Sequence, residues 1–385
     1  MDREQKLFLM LLGDFLNERE SVLPEAGYDW ETLHLYGTKH NLCGIVYEQL
    51  RHVLPEPFLS RFRSDYLAEL VRCRHRKSVT GEMTAVLEEN GMEFFYVKGD
   101  VVGRLYTNPV LRSMSDVDVM VRREALPMLH ERLLETGFEC TEQGISVWSY
   151  RKEGVAFEVH SALIRSAHRE DDAVAQAMGR CWEHVRDGEL DWSFHMLYLL
   201  LHLRKHFRVR GVGFRQFLDI AFVAKRCALD WVQIRRELEE LGLWNFALKV
   251  FGLCEHWFDC SVFPQRTEPD EDFFRQATEF IIQNGVFGYG NEENKDNEIV
   301  NTGRSEGLFG LLLHALAVLF PGYRDMCETE RYSFLAGKPV LLPLAWVYRI
   351  VYLIREGKLR EVFSGLSQLK GKARKRREIY AQWEL

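Results

Sequence analysis

The most constraining part of the chain runs from Phe94 to Val121, FFYVKGDVVGRLYTNPVLRSMSDVDVMV. An apolar run, Phe94–Val97, leads into Lys98-Gly99-Asp100 and a short amphipathic segment. Arg112-Ser113-Met114-Ser115 then opens a second apolar run that carries two acids, Asp116 and Asp118. This order predicts strand, Gly turn, helix, loop and strand. Side chains of a strand alternate between its faces. Asp116 and Asp118 therefore project together, while Val117, Val119 and Val121 face a core.

Two adjacent carboxylates repel each other unless water or a cation relieves them. The bland reading is a pair of solvated turn acids, but the apolar β-branched neighbours favour a metal site. Such a pair suits Mg²⁺, a hard cation that takes oxygen ligands and commonly brings substrate phosphates. A third acid follows in Val155-Ala156-Phe157-Glu158-Val159-His160, where Glu158 and His160 share the face opposite the valines. A charge inside an apolar strand needs a partner or a metal, which makes Glu158 the third candidate ligand. His160 either orients Glu158 or is a hydrogen-bonded core histidine.

Around this core the pattern is helical. Apolar spacing predicts helices over 2–19, 29–52 and 58–90, the last closed by Gly91. A further helix is expected over Arg123–Thr136, then strands over Phe138–Thr141, Ile145–Arg151 and Val155–His160, with turns at Gly144 and Gly154. From Asp172 onward the chain reads as helices: 192–207, 214–227, 230–241, 243–260, 270–284 and 305–319. The expected class is α+β: a small mixed sheet with N-terminal helices and a large C-terminal all-α region. The expected segments are 1–91 (helical), 92–165 (catalytic core) and 166–385 (helical).

Composition narrows the function classes. At 385 residues, 46% hydrophobic, the chain has an ordinary globular make-up. Its formal charge of −7 argues against bulk binding to nucleic acid. Two basic clusters, Arg72–Lys77 and Lys370–Arg377, read as solvated helix faces, and the polar stretch Gly285–Gly303 as a surface loop. Eight cysteines without a CxxC pair suit free thiols in a reducing cytosol. The N-terminus does not read as a signal peptide, and Val340–Ile354 is too short to span a membrane. A cytoplasmic location is expected.

His202 and His206 are spaced i, i+4 on one helix face. That spacing suits Zn²⁺, but no HExxH glutamate or third ligand accompanies it. A polar face turned toward a cleft is the better reading. Arg215 and Asp219, also i, i+4, are expected to form an ion pair at the junction with the catalytic core.

These features together resemble the DNA polymerase β-type nucleotidyltransferase superfamily, and within it a bacterial nucleotidyltransferase-like family. The resemblance rests on Lys98-Gly99, on Arg112 with Ser115-Asp116-Val117-Asp118, on Glu158-Val159-His160, on HLRKHF…FRQFLDIA with His202, His206, Arg215 and Asp219, and on FLAGKPVLLPLAWV. It implies transfer of an NMP group from an NTP such as ATP to a hydroxyl of a small molecule, a sugar or polysaccharide precursor, or a protein. It implies Mg²⁺ or Mn²⁺ on Asp116, Asp118 and Glu158. Lys98, Gly99, Arg112 and Ser115 would contact phosphate, and His160, His202, His206, Arg215 and Asp219 would line the cleft. For Arg112 a structural salt bridge is the equal alternative. The superfamily's turn is usually Gly-Gly or Gly-Ser, and here it is Gly99-Asp100. An acid where triphosphate should sit favours the alternative function, a nucleotide-binding antitoxin-like or regulatory protein with little turnover. The proposed role for Asp100 is an N-cap of the next helix.

Overall fold

The computed structural model describes residues 1–24, 27–164, 172–209, 212–268 and 270–285, and further on 320–323, 326, 330–335, 337–355 and 382–383. The predicted loop after Gly285, the helix over 305–319 and the basic run Lys370–Arg377 lie outside the described residues. The chain divides into two compact units, and the first holds Met1–Glu142, Ser146–Phe207 and Gly211–Tyr289. In the second, helix α13 (Leu342–Arg355) follows two 3₁₀ turns. A small core of Met326, Tyr332, Leu335 and Ala345 forms there.

The first unit begins with α1 (Arg3–Leu16), α2 (Trp30–His40), α3 (Cys43–Leu50) and α4 (Phe58–Glu89). Asp2 and Gln5 close a capping box on α1, and Asp29 caps α2. The single helix expected over 29–52 is thus two, broken where Asn41 takes φ 56°. A left-handed residue ends a helix because the next amide can no longer bond back along the same axis.

Strands β1 (Phe94–Val97), β2 (Asp116–Val121), β3 (Glu139–Gln143), β4 (Val147–Lys152) and β5 (Val155–His160) form one mixed sheet in the order β1-β2-β5-β4-β3. β1 runs antiparallel to β2, and β2 runs parallel to β5. A parallel pair needs a crossover. Helix α6 (Leu126–Glu135) and the β3–β4 strands supply it. Glu153 and Gly154, both at positive φ, make the tight turn between β4 and β5.

One sheet face buries Val117, Val119, Val121, Val155, Phe157 and Val159 against Val79, Met83 and Leu87 of α4 and Leu129 and Leu133 of α6. Each such side chain contributes about 1.5–3 kcal/mol when fully buried. The alternation predicted for β2 and β5 therefore holds, and the opposite face is left for Asp118, Glu158 and His160. Beyond the sheet come α7 (Asp172–Gly179), α8 (Trp192–Val209), α9 (Phe214–Arg226), α10 (Trp231–Glu240), α11 (Trp244–Phe258) and α12 (Glu271–Asn284). The region after Asp172 is not wholly helical. Val185–Arg186 and Glu189–Leu190 pair as a small hairpin, β6 and β7, around Asp187-Gly188. Both turn residues have positive φ, as an Asp-Gly hairpin turn requires. No helix among the described residues is long and apolar enough to cross a membrane.

Candidate active site

The site is assembled by register. Parallel pairing sets Asp118 of β2 directly beside Glu158 of β5. His160, two residues on, points the same way. Its Nε2 lies 2.8 Å from Asp118 Oδ1 and 3.3 Å from Glu158 Oε2. Lys98, just after β1, places Nζ 2.5 Å from the same Asp118 oxygen. Asp118 is 5% exposed at its side chain, whereas Glu158 is 37% exposed. The group is closed behind and open in front.

The protonation pattern follows from these contacts. Burial opposes ionisation of Asp118, but the Lys98 ammonium and His160 overcome it and hold the carboxyl well below its ordinary range. His160 also lowers Glu158. Burial and the Asp118 charge raise Asp116. Asp116 shares the face but stands at the edge, where its Oδ1 accepts from Ser115 Oγ at 2.9 Å. The tight set of metal-capable donors is thus Asp118, Glu158 and His160, whose ligand atoms lie within 4.8 Å of one another. This set differs from the expected Asp116, Asp118 and Glu158 by including an imidazole.

The donor set fits a hard divalent cation. Carboxylate oxygens dominate, and the carboxylates repel each other without a cation between them. His160 Nε2 adds a nitrogen that Mn²⁺ tolerates better than Mg²⁺. His160 Nδ1 is buried without a hydrogen-bond partner, so the second ring nitrogen does not fix the tautomer.

Lys98 is held in a strained conformation, φ 56° and ψ −123°. A non-glycine residue there costs on the order of 1–3 kcal/mol and persists only when its surroundings impose it. Here the Lys98 amide donates to His195 Nε2 at 3.2 Å. Burial lowers His195 to about 4, which leaves that nitrogen free to accept near neutral pH. The His195 ring stacks on Trp192, 5.4 Å between centroids. Neither residue stands out as a site residue in the sequence. The available signal was periodicity: His195, Tyr198, His202 and His206 recur at helical spacing along α8, with ring centroids 4.4 to 6.2 Å apart in sequence order. Burial, then the Lys98 charge, drives His202 well below its usual pKa. Among the described residues, His202 and His206 belong to no metal-capable cluster.

Gly99 begins α5 (Gly99–Val102), a helix of only four residues. A Cβ there would overlap the Met114 side chain, so any larger residue must displace Met114. Asp100 does not cap this helix. Lys98 is at the cap position without a side-chain capping bond, and Asp100 lies inside the first turn. Its carboxylate accepts from Arg104 Nη2 at 3.3 Å. It lines a separate cavity of about 660 Å³ with Tyr96, Arg104 and Glu189, to which Asp116, Asp118 and Glu158 do not contribute. The unexpected acid is therefore directed away from the carboxylate face.

Arg112 is not open to phosphate. It is 7% exposed, and its Nε and Nη2 donate to Asp219 Oδ1 and Oδ2 at 2.8 and 2.7 Å. Tyr106 OH donates to the same carboxylate at 2.8 Å. The Arg215–Asp219 pair expected within α9 is displaced by this bidentate bond. Arg215 Nη1 donates instead to Ser113 O at 2.6 Å. Arg76 is likewise no solvated residue. It is buried and donates to Met114 O at 3.2 Å. Three arginines thus fasten residues 112–114, the loop that delivers Ser115 and Asp116 to the start of β2.

A model of the family of uncharacterised nucleotidyltransferases matches residues 26–259. The chain belongs to that family. The match takes in the whole sheet and helices α2 through α11. A search of curated proteins gives no match. Among solved structures, the solution structure of the antibiotic-resistance factor ANT(2'')-Ia is similar at 12% identity and TM-score 0.31, over 43% of this chain and 87% of that one.

Proposed function

We propose that this protein transfers a nucleotidyl group from an NTP to a hydroxyl of an acceptor, with Asp116, Asp118 and Glu158 as its working carboxylates. The observation that carries the reading is the in-register pairing of Asp118 with Glu158, with Lys98 Nζ 2.5 Å from Asp118, in a chain of the nucleotidyltransferase family. The acceptor oxygen attacks the α-phosphorus, the bond to the bridging oxygen breaks, and pyrophosphate leaves. The acceptor proton passes to a carboxylate of the site or to water. A divalent cation, Mg²⁺ or Mn²⁺, would be held by Asp118 and Glu158 with Asp116 or His160, and would neutralise triphosphate charge.

The residues of the chain have distinct tasks in this reading. Lys98 supplies a positive charge at the carboxylate face, where charge develops on the phosphoryl oxygens. His195 keeps the Lys98 backbone in place. Without a cation, His160 Nε2 donates to the carboxylates and keeps Asp118 and Glu158 ionised; with a cation bound, that nitrogen would give up its proton to serve as a ligand, or Asp116 would take its place. Arg112 and Asp219 act at one remove, by fixing the loop that carries Ser115 and Asp116. The acceptor class is a small molecule, a sugar precursor or a protein hydroxyl.

The second reading is a nucleotide-binding regulatory protein with little turnover. It draws on one observation: Lys98 and His160 both already engage Asp118 Oδ1. Pyrophosphate assays decide between the two. The transferase reading expects pyrophosphate from an NTP with Mg²⁺ and a pool of cellular metabolites and proteins, and none from Asp118→Asn. Tight Mg²⁺-dependent NTP binding without pyrophosphate under any acceptor pool favours the regulatory protein.

A further inference from the structure

A second set of metal-capable side chains sits in the N-terminal helices. His34 of α2, Cys43 at the start of α3 and Asp65 of α4 bring one nitrogen, one sulfur and one oxygen within 4.8 Å of one another. His34 Nε2 lies 2.7 Å from Asp65 Oδ2. The His34 ring is fixed edge-on to Phe62, 4.9 Å between centroids. Thr38 Oγ1 lies 3.5 Å from Cys43 Sγ; burial pushes the free thiol up to about 12, so an ion must displace its proton on binding. The thiol position depends on Gly37, where a Cβ would come within 2.9 Å of Cys43 Sγ. The neighbouring Arg61 does not claim Asp65: its Nη1 binds both oxygens of Glu31 at 2.7 Å. Asp65 is 44% exposed at its side chain, which gives an ion a route in and leaves room for water.

We propose that His34, Cys43 and Asp65 bind a divalent cation of the Zn²⁺ class, with water as the remaining ligand. Sulfur, imidazole and carboxylate together select a borderline-soft cation and not Mg²⁺. The three ligands come from three helices, so the ion cross-links α2, α3 and α4 near the base of the helix that covers the sheet. The site is chemically distinct from the Asp118 group, which contains no thiol.

Co²⁺ titration of the full chain tests this, because a cobalt–thiolate bond gives a near-ultraviolet charge-transfer band that a carboxylate–histidine site does not. The expected result is a band that saturates near one equivalent, is displaced by Zn²⁺, survives Asp118→Asn and disappears in Cys43→Ser. Zn²⁺ should also raise the thermal midpoint of the wild type, and raise that of His34→Gln by clearly less. A wild type that gives no band, or a band that persists in Cys43→Ser, overturns the proposal. A Zn²⁺-induced midpoint shift of equal size in His34→Gln does the same. Because the band is read on the metal itself, Cys43→Ser must keep the wild-type circular dichroism, and Cys43→Ala serves where it does not.

Discussion

Two buried acids of the first unit, Asp219 and Asp118, are both paired with a base, and they are paired in opposite ways. Asp219 is saturated: Arg112 grips both of its oxygens, and Tyr106 adds a third bond. Both side chains of that ion pair are sealed, at 8% and 4% exposure. Asp118 takes Lys98 and His160 on one oxygen, Oδ1, which leaves Oδ2 outside that pair of bonds. Its neighbours Glu158 and Asp116 are half-buried. A closed pair with planar, bidentate geometry suits a structural fastening. An incompletely paired acid beside a strained lysine suits a ligand site.

Breaking the fastening should have the larger effect on folding. Asp219→Ala leaves Arg112 buried without its partner, which costs about 3–5 kcal/mol. Urea unfolding should show that loss, and NTP binding should fall with it because the loop at residues 112–115 loses its anchor. Asp118→Asn should do the reverse. Pyrophosphate release should drop by about 10²-fold or more, while the stability loss stays below that of Asp219→Ala. Equal stability losses in the two variants would erase the distinction.

The carboxylate half of this arrangement was legible in the sequence, and the fastening half was not. Alternation alone put Asp116 and Asp118 on one face and the valines on the other, and a second strand with the same alternation supplied Glu158 and His160. The partner of Arg112 was hidden because it lies 107 residues away on α9. Local i, i+4 spacing pointed to Arg215–Asp219, but a bidentate long-range bond outcompeted it. The role of His195 was hidden for a related reason. It acts on a backbone amide, and nothing in Lys98 as a residue type announces a positive φ. Asp100 misled because a sequence position next to the glycine turn says nothing about which side of β1 the carboxylate faces. The hairpin at Asp187-Gly188 was readable from its turn residues but was masked by the helical pattern on either side.

His195 makes the site acid-sensitive. His195 has a folded pKa of about 4 against an ordinary value of 6.5. The unfolded chain therefore takes up the proton first as pH falls. Stability is intact above about 6.5 and declines toward pH 4, by up to about 1.4 kcal/mol per pH unit from this group. His195→Asn should flatten that part of the acid limb in denaturation curves taken across pH. An unchanged slope would mean that His195 is not kept neutral by burial.

The smallest expected effect concerns backbone strain. Lys98→Gly and Lys98→Ala both remove the ammonium, and both should lose transfer activity. Glycine accepts a positive φ and alanine does not, so the glycine variant should be more stable by about 1 kcal/mol. Equal stability would show that Lys98 is not strained in solution.

In the proposed function, the face built by Asp118 and Glu158 is a metal-dependent nucleotide site. Calorimetric titration of each NTP into the full chain, with Mg²⁺ and with EDTA, tests it most directly. Saturable binding is expected with Mg²⁺, none in EDTA, and loss of binding in a folded Asp118→Asn variant. Absence of NTP binding to the wild type, or undiminished binding to Asp118→Asn, would contradict it.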